Sequence, residues 1–312
     1  MFMMKSSLVA TIVLALSLAR GASALPAKRD GGVSDPQVLN FALTLEHLEA
    51  TFYNKGLEQF SDADFKHAGY PDWARGRLSQ IRDHEATHVE FLTTALQAAG
   101  AQAVKECEYN FAMTDVNAFV NLAGILEEVG TTAYTGGAQL IASKDYLTAA
   151  ASILAVEARH QAWIHSAAQH GSAWSTAFQT ALGPDQVYTL AAPFIKSCPA
   201  GNAALLPPLT AGPALAVAPT GSPAGKVRAG RPATLAFAAP AASTPLFAAF
   251  ISGLATPIFV PLQNGKDVAV PQGLKGFVFV VVTNDGGKVN AATTVAGPAI
   301  VDFMYDSSGT VV

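Results

Sequence analysis

From residue 35 to about residue 171, apolar side chains recur at three- and four-residue spacing in four long segments, the period of helices with one buried face. Asp35-Pro36 sets a capping residue before a proline and opens a first helix that runs to about Lys55. A second starts after Pro71-Asp72, carries Leu78, Ile81, Phe91 and Leu96 on its apolar face, and stops at Gly100. The third opens at Thr114-Asp115 and runs to about Ala142; the fourth starts at Ser143 and ends at Gly171. Long loops separate the first three helices, and a tight turn joins the last two. Short helices are expected over 173–181 and 185–195.

After Cys198-Pro199 the period changes. "GNAALLPPLTAGP" is dense in Pro and Gly and reads as a boundary. Beyond it, "PATLAFAAP", "LFAAFISG", "PIFVPLQNG", "KDVAVP", "GFVFVVVTNDGG" and "AIVDFMY" are short strand-type runs between turn signals, with Asn264-Gly265 and Asp285-Gly286 as hairpin turn pairs. The pattern predicts an α+β multidomain chain: a four-helix bundle over 35–197, a linker over 198–224, and a small antiparallel β-sandwich over 225–312.

Composition sharpens this picture at the N-terminus. Lys5, the run "LVATIVLALSLA" and the small residues "GASA" read as a signal peptide over 1–24, too short to span a membrane. Residues 25–34 then form a pro-segment or linker, in which Lys28-Arg29 reads either as a processing site or as a chance basic pair. Secretion makes a disulfide between Cys107 and Cys198 the expected state of the two cysteines. A net charge of -4 and a pI near 6.0 offer no basic face for nucleic acid.

Every Glu and every His lies before residue 171, so the chemistry belongs to the helical half. Glu85-Ala-Thr-His88 and Glu157-Ala-Arg-His160 are Glu-x-x-His units on the second and fourth helices, and chance supplies only about 0.2 such units in a chain of this composition. Positions i and i+3 share a helix face, so both side chains of a unit reach one ion. "LEHLEATFY" and "LEEVGTTAY" place Glu46 and Glu127 on the first and third helices, each seven residues before a tyrosine, Tyr53 or Tyr134. Glu, Glu-x-x-His, Glu, Glu-x-x-His on four successive helices is the ligand set of a dinuclear carboxylate site inside a bundle. Glu49, three residues after Glu46, is an alternative ligand. His47, His84, His165 and His170 are expected at the surface or behind the ligands.

These segments, together with "DHEATHVEFL" and "VEARHQAW", resemble the ferritin-like superfamily, and within it the secreted fungal proteins related to plant desiccation-response proteins. The resemblance covers 35 to about 197. It implies Glu46, Glu85, His88, Glu127, Glu157 and His160 as metal ligands, with Tyr53 and Tyr134 beside them as hydrogen-bonding tyrosines. Two iron or two manganese ions fit such a mixed oxygen and imidazole set, and zinc prefers fewer oxygens. The implied activity is oxidoreductase chemistry on dioxygen or hydrogen peroxide in a stress or desiccation response. The alternative is a non-enzymatic cell-surface or cell-wall scaffold, in which the apolar β-region mediates adhesion or self-association.

Overall fold

The structure, a computed structural model, describes residues 32–221, 225–238 and 244–311. The expected leader over 1–24 and the Lys28-Arg29 pair lie outside these residues.

Helix α1 (Asp35–Gln59) packs along α3 (Ala74–Ala98), and α4 (Val116–Gly137) along α5 (Lys144–Trp163). The cap of α1 is Ser34 and not Asp35: the Ser34 N–H donates to Gln37 Oε1 at 3.1 Å. The Asp35 carboxylate instead accepts the N–H groups of Ala142 and Ser143, tying the start of α1 to the turn before α5. Asp115 caps α4 by accepting the Ala118 N–H at 2.8 Å. α1 runs four residues past the expected Lys55, and the loop after it contains a short helix, α2 (Asp62–His67), capped by Ser61. An aromatic cluster of Phe52, Tyr53, Phe65 and Phe119 fills one end of the bundle.

The segments that flank the bundle depart from the sequence expectation. β1 (Glu108–Tyr109) in the loop before α4 pairs with β2 (Ile195–Ser197), and the Cys107–Cys198 disulfide closes this two-stranded clamp. The helix expected over 173–181 does not form. Its polar side chains bond outward, with Ser175 Oγ accepting the Phe277 N–H, Thr180 Oγ1 accepting the Gly253 N–H and Gln179 donating to Glu128. The following segment does form a helix, α6 (Pro184–Ala191), and a single turn, α7 (Asn202–Leu205), comes after β2.

The β-region has two antiparallel sheets. One has the order β3 (Ala216–Pro219), β4 (Pro232–Ala236), β7 (Asp267–Ala269); the other has β6 (Ile258–Pro261), β5 (Phe247–Ile251), β8 (Gly276–Thr283), β9 (Thr294–Phe303). β3 lies inside the stretch expected to be linker. Asn264 and Gly265 both have positive φ, 52° and 73°, in the tight turn between β6 and β7, as the Asn-Gly pair requires. Asp285-Gly286 is not a two-residue turn, because residues 284–293 form a longer loop between β8 and β9. Alternation explains the continuous apolar run of β8. Val278, Val280 and Val282 pack between the sheets, while Phe279 and Val281 pack on the bundle core. The apolar residues of β5 and β8 are therefore buried rather than displayed.

Candidate metal centre

The six ligand positions converge in the middle of the bundle, and all six side chains are buried. One ligand atom from each of Glu46, Glu85, His88 and Glu157 forms a group within 4.8 Å, and one from each of Glu85, Glu127, Glu157 and His160 forms a second. Glu85 and Glu157 belong to both. The three-residue spacing within each Glu-x-x-His unit carries both of its side chains inward on α3 and on α5.

His88 Nδ1 lies 3.1 Å from Glu46 Oε2, 3.1 Å from Glu85 Oε2 and 3.3 Å from Glu157 Oε1. His160 Nδ1 lies 3.1 Å from Glu85 Oε1 and 3.2 Å from Glu127 Oε2. Several of these atoms are nevertheless unsatisfied: Glu85 Oε1, Glu127 Oε2, both Glu157 oxygens and His160 Nδ1 are buried without a hydrogen bond. Buried polar atoms rarely stay unpaired. Orphaned donors and acceptors converging on one volume are what a cation-binding cage looks like, so the donor set fits metal ions.

The tyrosines complete the arrangement. The Tyr53 hydroxyl donates to Glu127 Oε1 and the Tyr134 hydroxyl to Glu46 Oε1, leaving the other oxygen of each carboxylate facing inward. Behind His160, the exposed His84 places Nδ1 2.9 Å from His160 Nε2, with the rings stacked. His84 therefore reaches from solvent to a ligand.

Electrostatics record the crowding. Burial pushes Glu46 up to about 7 despite its hydrogen bond from His88, and burial followed by repulsion from neighbouring carboxylates drives Glu49 and Glu157 well above the usual range. Burial also raises Glu127. Glu85 is the exception: burial raises it too, but the nearby His160 and His88 outweigh this and hold it down to about 2. Burial opposes charge on the histidines, but their carboxylate partners raise His88 to about 12 and His160 to about 9.

Glu49 is buried in the same interior but contributes to neither group of ligand atoms. It stands beside Glu157 where α4 has Gly130; a Cβ there would lie 2.9 Å from both Glu157 Oε2 and Glu49 Oε1. Of the other histidines, His165 departs from the surface expectation. A π turn over Ile164–Ala168 swings it toward the β-region, where its Nδ1 pairs with the Ser172 carbonyl at 2.6 Å and its Nε2 with Asp302 at 2.9 Å. Beside it Glu128, which points away from Glu127, accepts from Gln179. Sequence reasoning missed this buried polar contact, whose one visible sign was Asp302 within the apolar run "AIVDFMY".

Residues 34–170 match the family described as a ferritin-like domain. Protein rds1 of Schizosaccharomyces pombe is 30% identical over 172 residues, which is 55% of this chain and 42% of that protein. The chain thus spans under half the length of this relative. A solved structure, that of the conserved hypothetical protein rv2844 from Mycobacterium tuberculosis, aligns with 18% identity over 42% of this chain and 93% of that one, at a TM-score of 0.36. Among the described residues no helix is long and apolar enough to cross a membrane.

Proposed function

Starting from a ferritin-like helical region, we propose that this chain is a secreted metalloprotein whose bundle holds two iron or two manganese ions and acts on dioxygen or hydrogen peroxide. The observation that carries the reading is the set of unsatisfied buried ligand atoms on Glu85, Glu127, Glu157 and His160. Glu46 and His88 would hold one ion and Glu127 and His160 the other, with Glu85 and Glu157 common to both. Four carboxylates balance the charge of two divalent cations, which relieves the repulsion among them. When bound, iron or manganese in this donor set supplies redox chemistry toward dioxygen or peroxide.

The chain's own groups do the rest. Tyr53 and Tyr134 fix the two terminal carboxylates, and His84 holds His160 so that Nδ1 faces inward. Glu49, kept neutral by burial and by Glu157, holds a proton next to the centre. The Cys107–Cys198 bond supports an oxidising compartment, and the resemblance to desiccation-response proteins supports a stress role. The test is consumption of dioxygen or hydrogen peroxide by iron- or manganese-loaded protein. Turnover by the wild type that Glu85→Gln abolishes is expected; equal rates in the two proteins would overturn the reading.

A further inference from the structure

The two halves of the carboxylate site meet the outside differently. Tyr53 is fully buried, whereas the ring of Tyr134 is partly exposed on the wall of an apolar cleft. That cleft opens to solvent, and Leu45, Phe91, Ala133, Leu140 and Ala149 are among its walls. No Asp, Glu, Lys, Arg or His lines it, and its side-chain polar groups are the hydroxyls of Tyr134 and Tyr146. The Tyr134 hydroxyl is committed to Glu46, so this ring is the partition between the cleft and the carboxylates. On the opposite half, His84 offers a polar path from solvent to His160.

We propose that the cleft is the binding site for an uncharged apolar small molecule with a hydrocarbon body, presented to the Tyr134 and Glu46 side of the centre. A charged ligand would lose its hydration with no partner in this lining. An apolar concavity with a few polar groups at its inner end is the usual form of a small-molecule site. The proposal deepens the reading above by naming a class of substrate; it rests on that reading for the chemistry, but the binding is a property of the cleft alone.

The test uses the full chain, metal-free and metal-loaded, with Nile red as a neutral fluorescent probe and 1-dodecanol and dodecanoate as competitors. Saturable one-to-one probe binding is expected in both forms, displaced at least about tenfold more effectively by the alcohol than by the anion. Ala149→Trp and Ala42→Trp, on two different walls, should each weaken binding by about tenfold or more without changing metal content or the circular dichroism spectrum. Binding that does not saturate, or is untouched by both substitutions, would overturn the proposal, as would self-association that they abolish. Metal content of the same samples separates the two ideas. Dodecanol binding by a chain that takes up no metal leaves this inference standing and removes the metal reading, and the reverse result does the opposite.

Discussion

Glu85 and Glu157, one from each Glu-x-x-His helix, both contribute to each of the two groups of converging ligand atoms, yet their proton affinities are driven in opposite directions. Glu85 lies 3.1 Å from both His88 and His160, while both Glu157 oxygens are without a hydrogen bond. The asymmetry separates what each carboxylate does for folding from what it does for binding.

Glu157→Gln should therefore lower metal content to near zero, because both ions lose a ligand, while Glu127→Gln should leave about one ion per chain. The metal-free form should respond in the opposite sense. Removing a buried, repelled carboxyl should stabilise it by on the order of 2 kcal/mol, read as a raised thermal midpoint of the Glu157→Gln apoprotein. A destabilised apoprotein would show that Glu157 holds the bundle together without metal.

Metal uptake should release protons. At neutral pH, His88 at about 12 and His160 at about 9 are charged in the metal-free protein, and Glu49 and Glu157 are neutral. Both imidazoles must deprotonate to ligate, so about two or more protons per loaded chain should appear, and affinity should rise from pH 5.5 to pH 8. Calorimetric titration in buffers of different ionisation enthalpy counts them. Uptake without proton release would mean that the histidines do not ligate.

Glu128 is predicted to make stability fall as pH rises. Burial raises its carboxyl to about 8, with Asp302 adding to this and the Gln179 hydrogen bond opposing it. A raised carboxyl pKa leaves the stability intact below the unfolded value near 4.5 and removes it progressively as pH rises to about 8. The loss is on the order of 5 kcal/mol. Glu128→Gln should flatten the thermal midpoint between pH 5 and pH 9; a profile as steep as the wild type would assign the dependence to another group.

Gly130→Ala should weaken metal binding without weakening the fold. The added methyl would press on Glu157 and Glu49 at 2.9 Å, whereas alanine in a helix interior is favoured over glycine by about 1 kcal/mol. Affinity lower by about tenfold at an unchanged or higher thermal midpoint is the expected pair of results. Unaltered affinity would show that the two carboxylates move aside freely.

How far the sequence leads depends on the range of the interaction. The helices and the six converging side chains were legible because 3.6-residue periodicity and i, i+3 spacing are local. Likewise the Asn264-Gly265 turn follows from backbone conformation alone. Segment 173–181 misled because its polar side chains are spent on bonds to Phe277 and Gly253 in the docked β-region and to Glu128 on α4. For the same reason the bond that β9 brings to His165 through Asp302 was invisible, and His165 read as a residue at the surface or behind the ligands. β3 was hidden because its four residues, Ala-Val-Ala-Pro, differ little from the linker around them.

The most direct measurement is elemental analysis of the protein secreted from a eukaryotic host without chelators, with iron, manganese and zinc counted per chain. The account predicts about two iron or manganese ions per chain in the wild type and none in Glu85→Gln. A protein that is metal-free as isolated, and stays so after anaerobic incubation with iron(II) or manganese(II), would contradict it.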